Sequence, residues 1–401
     1  MRNIHTLLRQ TLGALPLMAV LSVQAAPDYG VSEGNEELLI QGLESLASQQ
    51  FDDALTQFQE LTQKRPDFRL AQLVYADLLA AQANPLGEAG GDQAQRKKQI
   101  QGLIDEARAR LTYKETRRQG LVPKSLVQMS DNQKYLILVD TDLSRLFLFE
   151  NVNGTPTLVK DYYASYGRGG TEKRKQGDLK TPLGVYFVTM RYQDSNLPER
   201  YGSGALPINY PNQWDYRLGH TGNGIWVHGS PVDTYSRPPK ASEGCISLTN
   251  PDFIELDKLV DIKNTPVLIG KSVEWVSVDQ WKKQKGQLAT FIDQWRQDWE
   301  SKDHSRYISH YSKTYKDGSR NYDSFSAYKE RVNSAKEYIK VGIDDLSLFT
   351  YPNNPDLMVA TFRQDYQSNN YKGESIKRQY WVREQGEWKI AFEGDPSKGI
   401  P

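Results

Sequence analysis

The stretch Gly224–Leu248, GIWVHGSPVDTYSRPPKASEGCISL, carries the only cysteine in 401 residues, Cys245, seventeen positions after His228. "GIWVHG" reads as a short strand ending near the histidine, and "SRPPKASEG" as a loop punctuated by proline and glycine that returns the chain to the thiol. A histidine on a rigid strand and a cysteine on a returning loop predict a β-rich domain built around the pair. An ordinary thiol, with a pKa of about 8.5, is only partly ionised at neutral pH, so a nucleophilic cysteine needs a base or an electropositive surround to supply the thiolate. Gly244, just before the cysteine, allows a tight turn whose backbone N–H groups serve an oxyanion. The same spacing also fits a buried, inert cysteine beside a hydrogen-bonded structural histidine.

Outward from this stretch, "YLILVD" (Tyr135–Asp140) and "RLFLFE" (Arg145–Glu150) predict a β-hairpin. Further strands are expected at "TLVKDYYASY", "GVYFVTMRY" and "TPVLIG", and a helix at "PDFIELDKLV", Pro251–Val260. Upstream, Asn35 to about Thr116 reads as helical. Phe51, Ala54, Phe58, Leu61 and Pro66 have the spacing of the second helix of a tetratricopeptide-like pair, and a small helical hairpin domain fits them equally. Downstream, Phe291, Trp295 and Trp299 recur every four residues on one helix face, and "DDLSLFTY", "LMVATFRQDYQS" and "IKRQYWVREQGEWKIAFE" predict strands. A helix on a curved antiparallel sheet follows, and the chain as a whole is expected to be multidomain α+β.

The first 25 residues, with Arg2 and Arg9 before the apolar run Leu12–Val23 and then Val23-Gln24-Ala25, have the form of a leader cleaved after Ala25. Export to the periplasm is the expectation, and an unpaired cysteine is the exception there, because exported thiols usually oxidise in pairs. Without the leader, 48 basic residues face 50 acidic ones, so nothing points to nucleic acid. One cysteine and no HExxH give no metal site, and "YGRGGTEKRKQGD" lacks the Lys-Ser/Thr ending of a phosphate loop, so its basic residues read as a mobile rim. No cofactor is expected. His304 and His310 read as solvated.

"YLILVDTDLSRLFLFE", "GDLKTPLGVY" (Gly177–Tyr186), "LPINYPN" (Leu206–Asn212), "GIWVHGSP" and "SEGCISL" occur in this order over Tyr135–Lys271. On them the middle region resembles the YkuD family of L,D-transpeptidases, exported enzymes that remodel peptidoglycan through a cysteine. The resemblance implies that Cys245 is the nucleophile, His228 the general base and the Gly229 carbonyl its orienting partner. It further implies oxyanion donors at Gly244 and Cys245, with Ser242 in the family's Ser/Thr position. His220 is an added candidate for the cleft wall. Two positions depart from the family pattern: Glu243 stands where histidine is common and Ser247 where arginine is common. Loss of that arginine removes a cation that could bind a substrate carboxylate. Residues 277–401 resemble the NTF2-like (SnoaL-like) cone.

The expected organisation is a leader at 1–25, a helical region at 28–120, a catalytic domain at 130–272 and the cone at 277–401. This layout resembles the cell-shape-determining L,D-carboxypeptidases of helical bacteria. The implied partners are peptidoglycan stem peptides, with the N-terminal helices open to protein partners or self-association. The expected activity is L,D-transpeptidase. The alternatives are an L,D-carboxypeptidase that trims tetrapeptides to tripeptides, and a non-catalytic wall scaffold.

Overall fold

The computed structural model describes residues 34–82, 93–115, 118, 120–193 and 197–396. The leader expected at 1–25 and the glycine-rich loop from Asn84 lie outside the described residues. Four helices come first, Asn35–Ala47, Phe51–Lys64, Arg69–Gln82 and Gln93–Glu115. Ala54, Phe58 and Leu61 are buried at the spacing that predicted them. Gly42 lets the first helix close on the second, since a Cβ there would stand 2.7 Å from the Phe58 ring. Phe51 is 57% exposed instead of sharing that face. It is the first residue of its helix, and a helical side chain leans back over the preceding turn, which is absent there.

The middle region is organised by a five-stranded sheet in the order 155–163, 145–152, 135–140, 266–270, 184–187. The predicted hairpin is present as Tyr135–Asp140 against Arg145–Val152, and Pro266–Gly270 runs parallel to its first strand. Both faces are covered, which is why these strands read as continuous apolar runs. Ile137, Val139, Leu146, Leu148, Val267 and Ile269 face a core shared with the strands around His228. Leu136, Leu138, Phe147, Phe149 and Leu268 face Phe349, Leu357, Val359 and Tyr380 of the C-terminal sheet.

The C-terminal region is a long helix, Val278–Glu300, opened by a capping box between Ser277 and Gln280, over a strongly paired antiparallel sheet. Trp281, Leu288, Ile292, Trp295 and Trp299 are buried under it, while Phe291 is 36% exposed. A four-residue step overshoots the 3.6-residue turn, so the buried line drifts from Trp299 and Trp295 to Ile292 and Leu288. Upstream chain also joins this region: Leu126–Gln128 adds a fifth strand beside Ile339–Tyr351, and Leu121–Pro123 pairs with Trp275–Ser277. His310 is not solvated as expected. It is largely buried, with Nε2 2.7 Å from Asp298 Oδ2 at the junction of two helices. His304 bonds Ser326 Oγ at 3.0 Å.

Candidate active site

His228 ends the strand Trp226–His228, and Cys245 directly precedes the strand Ile246–Ser247. These strands pair in parallel, Val227 opposite Ile246 and His228 opposite Ser247, which sets Cys245 level with Trp226. Val227 and Ile246 turn into the apolar core. Side chains alternate along a strand, so Trp226, His228, Cys245 and Ser247 share the other face. Tyr201 walls this face, its ring centroid 5.1 Å from that of His228 and 4.6 Å from that of Trp226.

Backbone groups hold both candidate side chains. His228 Nδ1 lies 2.5 Å from Gly229 O. A carbonyl can only accept, so Nδ1 carries the proton and Nε2 keeps the lone pair of a base. Ser247 Oγ donates to the same carbonyl at 3.2 Å. A Cβ on Gly229 would fall 2.2 Å from Asn250 Oδ1 and 3.0 Å from Ser203 N, so only glycine lets this carbonyl sit here. Asn250 Oδ1 in turn accepts from Ser203 N at 2.9 Å, holding the segment that follows Tyr201. Across the site, Cys245 Sγ donates to Gly224 O at 3.4 Å and receives the Trp226 N–H.

The turn before the thiol is locked from below. Gly244 has φ +126°, and a Cβ there would approach Lys180 O to 2.7 Å. Its carbonyl accepts from Thr181 Oγ1 at 2.9 Å, which ties the "GDLKTP" segment to the turn before Cys245. Ser242 Oγ donates to Cys245 O at 2.6 Å and accepts from Gly244 N at 3.1 Å. The Gly244 N–H, expected to face an oxyanion, is thus spent inside the turn. Ser242 is the residue that spends it.

Burial sets the electrostatics. It pushes the Cys245 thiol up to about 11, against the Trp226 N–H and the charges of Arg237 and Arg200. It pulls the His228 imidazole down to about 4; the Gly229 carbonyl opposes this and the two arginines add to it. Both shifts favour the neutral thiol and the neutral imidazole near neutral pH. Passing the thiol proton to Nε2 during attack first requires Sγ to release Gly224 O.

The remaining candidates fall elsewhere. His220 Nδ1 lies 3.2 Å from Asp215 Oδ1, and its ring lines a depression of about 520 Å³ with Lys173, Arg174 and Leu218, whose walls include neither Cys245 nor His228. Asp215 belongs to the capping box of the helix Gln213–Arg217. The basic rim is tied at its backbone: Asp178 accepts from Lys173 Nζ at 2.7 Å and from the backbone of Arg174, Lys175 and Lys180. Those bonds outweigh burial and hold its carboxyl far below the usual range. Glu243 pairs with Arg168 at 3.1 Å on the surface. Tyr201, Asn250 and Arg237 were missed in the sequence. Only Arg237, a cation within the His–Cys loop, carried a sequence cue.

Two domain families match the chain, the L,D-transpeptidase catalytic domain over residues 134–269 and the Cds6 C-terminal NTF2-like domain over 287–394. The structure of Bd1075 from Bdellovibrio bacteriovorus is 30% identical, with a TM-score of 0.62 over 70% of this chain and 100% of that one. The chain belongs to the YkuD L,D-transpeptidase family. This YkuD protein also shares its fold with the helical cell shape determining protein Pgp2 of Campylobacter jejuni, at 24% identity and a TM-score of 0.57 over 71% of this chain and 99% of that one. A putative L,D-transpeptidase of Escherichia coli K12, YafK, is 30% identical over 95 residues, 24% of this chain. The match spans 34% of the length of that curated relative.

Proposed function

We propose that this YkuD protein is a cysteine acyl-transfer enzyme of peptidoglycan stem peptides, with Cys245 as nucleophile and His228 as base. Nε2 of His228 takes the thiol proton as sulfur bonds to the carbonyl carbon of the L-centre at stem position three. The Cys245 N–H is the leading donor to the oxyanion, because the Gly244 N–H must first leave Ser242. The C–N bond then breaks, the imidazolium returns its proton to the departing D-alanine amine, and a thioester remains on Cys245. An amine from a second stem converts that thioester to a cross-link; water converts it to a tripeptide.

The observation that carries this reading is the His228 Nδ1 bond to Gly229 O, which presents a basic Nε2 on the strand face that also bears Cys245. Transpeptidation is the leading outcome, supported by the catalytic-domain match. Carboxypeptidase action is the second reading. It is supported by the fold shared across 71% of the chain with a protein that determines helical cell shape. Incubation with tetrapeptide muropeptides, followed by mass spectrometry, tests both. A thioester on Cys245 with cross-linked dimers supports the first, and tripeptides alone support the second. Absence of any thioester or product leaves a wall-binding scaffold. The reading also places the protein in the periplasm, which N-terminal sequencing of the mature chain tests by starting at Ala26.

A further inference from the structure

The loop between His228 and Cys245 is a strap bolted to the N-terminal helices. Tyr235 sits in their core, its ring 4.7 Å from Phe68 and under the Arg65 guanidinium at 4.5 Å, and its N–H donates to Asp67 O at 3.2 Å. Ser236 Oγ donates to the fully buried Glu106 at 2.5 Å. On the other side, the Tyr163 hydroxyl donates to Arg237 O at 2.9 Å and Ser165 Oγ to Pro238 O at 2.6 Å. Four clamps therefore bracket one residue, Arg237, and fix its backbone.

The guanidinium so placed is half-buried, and one of its nitrogens donates to Ala241 O at 2.6 Å, at the foot of the nucleophile turn. No carboxylate pairs with it among the described residues. The acidic group nearest in sequence, Glu243, is taken by Arg168. An arginine has five donors in a planar fork, and a partly desolvated one without a counter-charge is an open seat for a carboxylate. The Ala241 carbonyl it holds lies four residues before Cys245, in the short strand Lys240–Ser242 that leads into the turn carrying the thiol. Position 247, where the family often has a cation beside the thiol, holds instead the hydroxyl that supports Gly229 O.

We propose that Arg237, held by the strap, is the receptor for the free terminal carboxylate of the stem peptide and so sets the preceding peptide bond against Cys245. This rests on the acyl-transfer reading of the site. An enzyme that needs this carboxylate would act on chain ends and not within chains.

The test uses paired stem tetrapeptides, one with a free C-terminal carboxylate and one with a C-terminal amide, titrated calorimetrically into the full-length Cys245→Ala protein. Binding without turnover reports on Arg237 whether or not the acyl-transfer reading holds; failure of that reading would show separately, as no thioester on the wild-type protein. The acid is expected to bind about 30- to 100-fold more tightly than the amide, in line with a desolvated charge-assisted pair. Arg237→Gln should collapse that ratio to near one, and Arg237→Lys should restore part of it, since lysine keeps the charge but not the fork. Equal binding of acid and amide to Cys245→Ala overturns the proposal. So does a ratio that survives Arg237→Gln, or a Gln variant that weakens both ligands equally, as a purely structural role would.

Discussion

Two of the places where this molecule buries ionisable groups do it by opposite means. At the seam between the N-terminal helices and the central sheet, Arg110 and Arg145 are 2% and 3% exposed in their side chains, and each is met by carboxylates. Arg110 lies 3.0 Å from Glu106 and 3.3 Å from Glu36, and Arg145 bonds Glu36 and lies 3.2 Å from Asp161. Burial would raise Glu36, but Arg145 and Arg110 hold it down to about 2. At the active site no counter-charge touches either Cys245 or His228 among the described residues; backbone carbonyls and N–H groups hold them, and burial keeps both neutral. The difference follows from what each place must do. At the seam opposite charges hold Glu36 ionised, while burial raises Glu106 even beside Arg110. Under the proposed reaction Cys245 and His228 exchange a proton, and here backbone dipoles orient them instead.

The comparison breaks most clearly through the nucleophile. Cys245→Ala should abolish thioester formation, a loss of about 10⁴-fold or more in turnover. Its denaturation midpoint should stay near that of the wild type, because the thiol balances no buried charge. A large fall in stability would mean that the site is structural after all. The seam should answer in reverse. Arg110→Met leaves Glu106 and Glu36 without their shared cation, and breaking such a buried set costs about 3–5 kcal/mol. Urea denaturation should show it. Because Glu106 also holds Ser236 of the strap, acid-over-amide discrimination should weaken in the same variant.

The pH dependence sharpens the same contrast. The base must be neutral, so kcat/KM should fall as pH drops through about 4, where His228 takes a proton. The thiol proton is the one later delivered to the leaving amine, so the rate should also fall as pH rises through about 11. Between these limits the profile should be flat. Alkylation of Cys245 by iodoacetamide, which needs only the thiolate, should instead climb through the alkaline range without levelling near 8.5. A plateau below neutrality would reveal a resting thiolate–imidazolium pair.

What the sequence made legible is local. The hairpin Tyr135–Glu150, the helix after Cys245 and the order of motifs around the thiol lie in short windows whose period or turn chemistry is self-contained. "WVREQGEWK" read as part of one strand run, yet Gln385 and Gly386 both take positive φ, at 50° and 90°, and fold it into a hairpin. The strands Leu121–Pro123 and Leu126–Gln128 escaped notice because their partners lie more than 140 residues away, and three residues carry no period. The site divides the same way. His228, Gly229 and Cys245 were visible in one stretch, but Tyr201 and Asn250 reach it through a sheet contact and a helix start that no spacing encodes. The shifts of the two groups were not legible for a related reason: burial is a property of the assembled fold, and a Cys–His pair in sequence does not disclose its depth.

Ser247 offers the finest test of how dipoles orient the base. Among the described residues its hydroxyl is one of two donors to Gly229 O, the other being His228 Nδ1, and it stands where a cation is common in the family. Removing it as Ser247→Ala leaves the carbonyl its shorter bond to the imidazole, so the tautomer should hold. What is lost is one neutral hydrogen bond, about 0.5–1.5 kcal/mol. If that bond acts only by steadying the carbonyl, kcat should fall roughly two- to tenfold with the acid limb of the pH profile unmoved. A shift of that limb toward neutrality would mean that Ser247 had been competing with His228 for the carbonyl, since a stronger Nδ1–H bond favours the protonated ring. The serine would then set the basicity of the imidazole as well as its position.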